Sequence, residues 1–231
     1  EIVSINLGTS GVLFAACQGA PIDSTGGLHT FCHAIPGTCH LMGCMLSAGG
    51  CLEWFRDVIA PDATYAQLIE EAMNVPAGSE GLHFYPYLTG ERTPHNDPTL
   101  TASFRGLTAR HGRAHLVRAV LEGITYGLRD GLDLLGASGQ QIDRIRLTGG
   151  GAKSAWWQAL AADIFGAPVC TMQANQGSAH GAAILAMVGG ERYDSVPEAM
   201  AECVSEQSRC EPTMSSGIYT ELHQQWKDGS A

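Results

Sequence analysis

The chain has 231 residues, of which 45% are hydrophobic and 16% charged, a balance that is ordinary for a globular protein with a buried core. Its 13 Lys and Arg against 23 Asp and Glu give a net charge of −10 at pH 7, which repels nucleic-acid backbones and anionic membrane surfaces. No stretch approaches the roughly 20 apolar residues of a membrane span, and no basic-then-apolar leader is present. We therefore expect a cytoplasmic protein that binds no nucleic acid and no membrane. Because Glu1 already lies in a strand pattern, we also expect the chain to be part of a longer protein.

The first third of the chain predicts a strand meander followed by two helices. Apolar alternation interrupted by Gly and Pro marks four strands, over residues 2–7, 12–17, 28–34 and 39–46. The turn after the first strand reads Gly8-Thr9-Ser10-Gly11. Helical spacing follows over residues 47–59, and Asp62 is predicted to cap a second helix. The apolar face of that second helix carries Tyr65, Leu68, Ile69 and Met73.

The middle of the chain combines a long polar loop with the longest predicted helix. Residues 82–88 form a short strand or extended segment, and residues 89–113 form a loop of a length that is typical of functional loops. The helix over residues 114–135 carries Gly123, Gly127 and Gly131 on one face. Each glycine costs about 1 kcal/mol relative to alanine in a helix. We therefore expect another backbone to approach this face closely.

The last third alternates strands and helices around a second glycine turn. Strands are predicted over residues 144–147 and 169–172, and helices over residues 154–165, 178–188, 196–203 and 218–226. Gly149-Gly150-Gly151-Ala152 follows the first of these strands, and Ser154 opens the next helix. Backbone N–H groups and a helix N-terminus in this arrangement can hold phosphate oxygens. With the turn at Gly8, the chain has two such turns, which together predict a nucleotide site in an α/β protein.

Eight cysteines raise the question of a metal site. Cys32-His33 and Cys39-His40 resemble zinc ligands, but their spacing of six to seven residues does not fit the pairs of two to four that structural zinc uses. We interpret the thiols as core residues and expect no metal ligands in this chain. No Ser-His-Asp or Cys-His pattern with a recognisable context supports a hydrolase.

Several motifs resemble one family. The run YPYLTGERTPHNDP at 85–98, the segment ASFRGL at 102–107 and the segment HLVRAVLE at 115–122 are similar to signatures of the FGGY carbohydrate kinases, and the first resembles the xylulokinases within that family. GTSG at Gly8 and GGGAKSAWW at Gly149 fall where the family has its second phosphate turn and its adenosine turn. The resemblance implies an α/β actin-like ATPase (ribonuclease H-like) domain, with a mixed five-stranded sheet and helices on both faces. It also implies that residues 1–231 are the C-terminal nucleotide-binding domain of a two-domain sugar kinase.

The resemblance implies ATP and Mg²⁺ as cofactors and transfer of the γ-phosphate to D-xylulose, giving D-xylulose 5-phosphate. The nucleotide would contact Gly8, Thr9, Ser10, Gly49, Glu53, Gly150, Gly151, Ala152 and Ser154. The catalytic aspartate would precede Glu1, so this chain would hold no catalytic residue and would be inactive alone. The pentulose would bind mainly to the missing N-terminal domain. The family also implies a homodimer.

Three alternatives stay open at this stage. The sugar substrate could be ribulose, glycerol or gluconate, since neighbouring kinases of the family use them. A nucleotide-binding module without catalysis is a second alternative, and an actin-like assembly protein is a third, although it would not need the motifs at 85–98 and 115–122. Thr101 stands where the family usually has arginine, and His180 stands where it commonly has an apolar residue. Both departures bear on sugar identity and nucleotide affinity.

Overall fold

The computed structural model describes residues 2–173 and 177–229, so Glu1 lies outside the described part. Its nine strands are β1 Ile2–Leu7, β2 Gly11–Gln18, β3 His29–Cys32, β4 Thr38–Met45, β5 His83–Tyr85, β6 Ser103–Arg105, β7 Arg144–Thr148, β8 Val169–Met172 and β9 Glu206–Cys210. Seven of them form one sheet in the order β3-β4-β2-β1-β7-β8-β9, and β5 pairs with β6 in a separate two-stranded sheet. The expected α/β class is confirmed.

The sheet is mixed, and the parallel pairing of β1 with β7 matters most for the site. β1 runs antiparallel to β2 but parallel to β7, with Ile5 opposite Leu147 and Asn6 opposite Thr148. Parallel neighbours end at the same edge of a sheet. The glycine turns that follow β1 and β7 are therefore adjacent in space.

Seven helices are described: α1 Gly49–Ile59, α2 Tyr65–Met73, α3 Arg113–Ala137, α4 Ala155–Phe165, α5 Gly177–Gly189, α6 Val196–Cys203 and α7 Ser215–Gly229. Each predicted helix is confirmed to within a few residues. The predicted cap of α2 is wrong, because Thr64 and not Asp62 is its N-cap. The Thr64 side chain accepts from the Gln67 amide while the Gln67 side chain accepts from the Thr64 amide, a reciprocal capping box. No helix within the described ranges is long and apolar enough to cross a membrane.

One face of the sheet packs against α3 and α4 and forms the core. Alternate strand residues point to this face, and Ile5, Leu13 and Leu147 are at most 1% exposed. α5 begins at Gly177, beside Thr148, whose side chain points to the opposite face. Helices thus lie at both faces, as expected.

The glycine stripe on α3 faces the sheet. A Cβ on Gly123 would lie 2.2 Å from the carbonyl oxygen of Phe84, so the predicted close backbone approach is confirmed at this position. At Gly127 and Gly131 the neighbours are side chains, Met45 at 3.2 Å and Leu13 at 2.8 Å. The expectation of a backbone contact is wrong for these two, because they leave room for core side chains.

The expected count of five strands is wrong, since the main sheet has seven. The sequence of β9, EQSRC, is mostly polar and the strand is mostly exposed, so apolar alternation gives no sign of this edge strand. β6 likewise lies within the segment predicted as one long loop, because only Phe104 in it is apolar. Strands are predicted from the alternation of apolar residues that become buried. An edge strand buries few side chains, so its sequence need not show that alternation.

The thiols lie in varied environments. Cys17, Cys51 and Cys170 are buried, which confirms the core interpretation for these three. Cys32 is exposed, because β3 is an edge strand, so the core interpretation is wrong there.

Candidate nucleotide-binding site

A cavity of about 750 Å³ opens where β1 and β7 end, and α1, α2 and α4 form its walls. Such concave sites beside strand ends are where α/β proteins bind ligands. Its lining residues are Leu7, Gly8, Thr9, Gly49, Leu52, Glu53, Tyr65, Ala66, Ile69, Glu70, Met73, Gly150, Gly151, Lys153, Ser154, Trp156 and Trp157.

The first turn is fixed by the N-terminus of α1. The carbonyl of Gly8 accepts from the Gly49 amide at 2.8 Å, and the carbonyl of Thr9 accepts from the amides of Ala48 and Gly50 at 2.9 and 3.0 Å. In a trans peptide the C=O and the next N–H point in opposite directions. The N–H groups of Thr9 and Ser10 therefore point away from α1. Two successive amide donors on one side of a turn can bind an anion.

Gly49 is required by this contact. A Cβ on Gly49 would lie 2.5 Å from the Gly8 carbonyl oxygen, which is backbone and cannot rotate away. A Cβ on Gly50 would lie 3.1 Å from the Thr9 carbonyl oxygen. The two glycines thus allow the helix to approach the turn closely enough for the hydrogen bonds to form.

The second turn rests on the end of β1. Gly149 has φ +91°, and a Cβ there would lie 2.5 Å from the Leu7 carbonyl oxygen. A Cβ on Gly151 would overlap the Leu7 side chain, whereas Gly150 faces open space. A short 3₁₀ turn over Gly151–Lys153 leads to Ser154, whose Oγ accepts from the Trp157 amide at 3.2 Å and caps α4.

The structure brings together seven of the nine predicted nucleotide-contacting residues: Gly8, Thr9, Gly49, Glu53, Gly150, Gly151 and Ser154. Ser10 and Ala152 do not line the cavity. Ser10 Oγ donates to the Leu46 carbonyl at 3.0 Å. Ala152 is buried, and its carbonyl accepts from Gln158 Nε2 at 2.7 Å. The Ser10 hydroxyl and the Ala152 carbonyl thus hold the turns in place, because these atoms bond to the protein, whereas the Ser10 amide stays on the side of the turn that faces away from α1.

An apolar wall lies opposite the glycine turns, and the sequence did not indicate its role. Tyr65, Ile69 and Met73 follow one another at four-residue spacing on α2 and line the cavity. Tyr65 and Met73 are 39% and 53% exposed, while Leu68 on the same helix is fully buried. The predicted apolar face therefore divides into a core part and a cavity part. Only the exposure of the large apolar side chains distinguishes the core part from the cavity part. That exposure cannot be predicted from the periodicity of the sequence.

The charges at the cavity are few. Lys153 is an exposed cation next to the second turn, and Glu53 and Glu70 are the acidic lining residues. In the described part of the chain, the group of side chains close enough to share a metal ion is Asp130, Asp133 and His223, and none of these lines the cavity. The cavity residues do not form a cation cage of their own.

The loop that carries the motif at 85–98 is anchored outside the cavity. Glu91 is 2% exposed, and burial raises the pKa of its carboxyl group to about 7. Its Oε1 accepts from the amides of Leu46 and Arg92, at 2.8 and 2.7 Å. The Arg92 guanidinium bonds to a different residue: Arg92 Nε donates to His29 Nε2 at 2.9 Å. Tyr87 OH and His95 Nε2 lie 2.9 Å apart in the same loop.

The mixed sheet, the flanking helices and the cavity between two strand-end turns define an α/β domain of the actin-like ATPase type. The chain belongs to the FGGY family of carbohydrate kinases: the profile of that family's C-terminal domain matches residues 3–190. The xylulose kinase of Escherichia coli (strain K12) is 42% identical over 205 residues, covering 88% of this chain and 42% of the relative.

Solved structures agree on the fold. A ligand-bound xylulose kinase from Lactobacillus acidophilus superposes with a TM-score of 0.92 at 29% identity, over 98% of this chain and 46% of that one. A gluconate kinase from the same organism superposes with a TM-score of 0.91 at 29% identity, with the same coverage. The chain thus spans less than half the length of the relatives it matches.

Proposed function

We propose that this chain is the nucleotide-binding C-terminal domain of a two-domain sugar kinase, which transfers the γ-phosphate of ATP to a pentulose, D-xylulose. The proposal rests on one observation above all: the cavity joins both glycine turns and α1 in a single site. Membership of a carbohydrate kinase family and the similarity to xylulose kinases support it. A kinase that consumes ATP would act in the cytoplasm.

The proposed chemistry is mainly positioning. In phosphoryl transfer the protein aligns donor and acceptor and neutralises charge on the moving group. The amides of Thr9 and Ser10, which point away from α1, would bind the terminal phosphates, and the Thr9 hydroxyl would add a donor. Gly150 has open space beside it, so a ribose or phosphate could approach its backbone. The apolar wall on α2 would take the base.

In the proposed two-domain kinase, the group that activates the sugar hydroxyl would come from the other domain. When bound, Mg²⁺ would neutralise phosphate charge. Because the lining carboxylates Glu53 and Glu70 do not form a cation cage, the ion would be held mainly through the phosphates of the nucleotide and water, as is common for Mg²⁺. Thr9 and Lys153 would then orient the phosphates from the protein side.

Binding and turnover can be tested separately. Residues 1–231 should bind ADP weakly, with a Kd of about 0.1–1 mM, because they contain the turns, while in the proposed kinase the other domain also closes over the ligand. A coupled ADP assay with D-xylulose should show no release from residues 1–231 alone and release when the upstream half is present. Full activity from this chain alone would contradict the two-domain proposal, and Glu91 or Asp97 would then be the first residues to mutate.

The sugar is tested with the longer protein against D-xylulose, ribulose, glycerol and gluconate. The gluconate kinase superposes almost as well as the xylulose kinase, so gluconate is the competing substrate. A higher kcat/KM for gluconate than for D-xylulose would overturn the sugar assignment and leave the family intact. ADP binding without turnover of any sugar in the longer protein would favour a nucleotide-binding module.

A further inference from the structure

Two adjacent tryptophans on α4 differ in their surroundings. Trp157 is 2% exposed, and its Nε1 donates to Thr125 Oγ1 at 3.1 Å in the core. Both tryptophans line the cavity, but Trp156, two residues beyond Ser154, is only half-buried. An indole ring at the edge of a cavity offers a large flat apolar surface. Trp156 is thus available to a ligand in a way that Trp157 is not.

The ring of Trp156 is held by a buried cation. The guanidinium carbon of Arg118 lies 4.9 Å from the centroid of the Trp156 ring, a cation–π distance. The Arg118 side chain is 6% exposed, and its Nε donates to Glu122 Oε1 at 2.7 Å. Its Nη1 donates to the carbonyls of Ala72 and Val75 at 3.3 and 3.2 Å. Its Nη2 donates to the hydroxyl of Tyr219.

Arg118 therefore connects both walls of the cavity. Ala72 belongs to α2, the helix of the apolar wall, and Trp156 belongs to α4, the helix after the second glycine turn. The partner of Arg118, Glu122, is 2% exposed and also accepts from the Gly78 amide at 3.1 Å. A guanidinium fixed by this many bonds has little freedom, so the ring that it covers has little freedom either. A preorganised surface binds with less loss of conformational entropy.

We propose that the base of a bound nucleotide packs on Trp156, and that Arg118 is a positioning residue that fixes the indole ring. This inference rests on the proposed nucleotide site and assigns a base-packing surface within it. Tyr65 is the competing ring. The guanidinium over Tyr65 is that of Arg56, whose side chain is 30% exposed and bonded to Asp57, so that pair is less fixed. A site that binds only phosphates would use neither the Trp156 ring nor the Tyr65 ring.

The test compares ATP with inorganic tripolyphosphate, which has the phosphates but no base. NMR titration of the ¹⁵N-labelled chain gives both Kd values from the glycine-turn amides. Trp156→Leu should weaken ATP binding about tenfold, the effect of one stacked base, and leave tripolyphosphate binding unchanged. Trp156→Phe should retain most of the ATP affinity. Trp54→Phe is the matched control, because Trp54 packs on Phe84 outside the cavity.

Arg118 is tested by substitution and by its coupling to Trp156. Arg118→Lys should weaken ATP binding several-fold without changing tripolyphosphate binding, and it should have no further effect in a Trp156→Leu background. Tyr219→Phe removes one hydrogen bond to the Arg118 guanidinium and keeps the aromatic ring of residue 219. It replaces Arg118→Lys in this test if that variant does not fold. Equal weakening of ATP and tripolyphosphate binding would mean that Arg118 is merely structural.

The outcomes separate the two proposals. If the unmodified chain binds neither ligand, the proposed nucleotide site is wrong. If it binds both ligands equally, or if Tyr65→Leu and not Trp156→Leu lowers the ATP affinity, the site stands and the assignment of Trp156 is overturned.

Discussion

The carboxylate of Glu91 accepts a hydrogen bond at 2.8 Å from the amide of Leu46, one residue beyond the end of β4. This contact connects the loop of the 85–98 motif to the segment between β4 and α1. Glu91 is nearly inaccessible to water, so its charged form loses solvation that two amide donors only partly replace. A buried charge of this kind makes the stability of the domain depend on pH.

Glu91→Gln should remove that dependence. Burial raises the Glu91 pKa from 4.5 to about 7, so the folded state holds the proton more tightly than the unfolded chain does. The stability that the protonated group contributes is complete below about pH 4.5 and is lost as the pH rises through 7. Between these limits the unmodified chain should lose up to about 1.4 kcal/mol per pH unit relative to Glu91→Gln. Denaturant unfolding at a series of pH values measures this, with the exposed Glu221→Gln as control. Parallel curves for the unmodified chain and Glu91→Gln would contradict it.

Gly123→Ala should destabilise the domain by several kcal/mol, because the new Cβ would lie 2.2 Å from the Phe84 carbonyl oxygen and neither backbone can move cheaply. Gly136→Ala on the same helix has open space and should stabilise it by up to about 1 kcal/mol. Gly127→Leu should also cost several kcal/mol, since Met45 already fills that space. Thermal melts of the three variants check the order, and an unchanged midpoint for Gly123→Ala would show that α3 can shift.

Thr9→Val should weaken ADP binding several-fold and leave adenosine binding unchanged. Thr9 lies on the turn whose amides point away from α1, and its hydroxyl would contact phosphate and not the base. Calorimetric titration with ADP and adenosine measures both, with Thr220→Val on the exposed face of α7 as control. In the longer protein the same change should lower turnover more than adenosine binding. A loss of adenosine affinity as large as that of ADP affinity would place Thr9 near the base.

The purified chain should contain far less than one zinc ion per molecule. His33 Nδ1 accepts from the Ile35 amide at 3.0 Å and so has a partner within its own turn. At Asp130 and Asp133, Lys227 Nζ already supplies a cation, at 3.4 and 3.9 Å from the two carboxylates. Elemental analysis of protein prepared without chelator is the measurement. Stoichiometric zinc, whose removal by a chelator lowers the melting temperature, would show that side chains of this protein bind the metal in spite of their spacing.

The sequence predicts the two turns of the site well because turn chemistry is local. GTSG and GGGAKS contain the glycines and the capping serine that those backbone conformations need, and neighbouring residues decide them. The two turns are adjacent because β1 pairs with β7. The pairing partner of β1 cannot be predicted from the local sequence pattern. The apolar wall was missed for another reason: Tyr65 and Leu68 fit the same helical stripe, and only the packed structure shows which of them is covered. The polar edge strand β9 likewise has no apolar alternation to reveal it.

The parallel pairing of β1 with β7 has a consequence for the order of folding. Ile2 pairs with Arg144, so most of the chain lies between the two strands whose ends carry the turns. Contacts this distant in sequence close a large loop and form late compared with local hairpins such as β3 with β4. The cavity therefore exists only after that closure, while the β1–β2–β4–β3 meander can assemble beforehand. Ligand binding during refolding would report on β1–β7 pairing, and a nucleotide analogue would act as a probe of this long-range step.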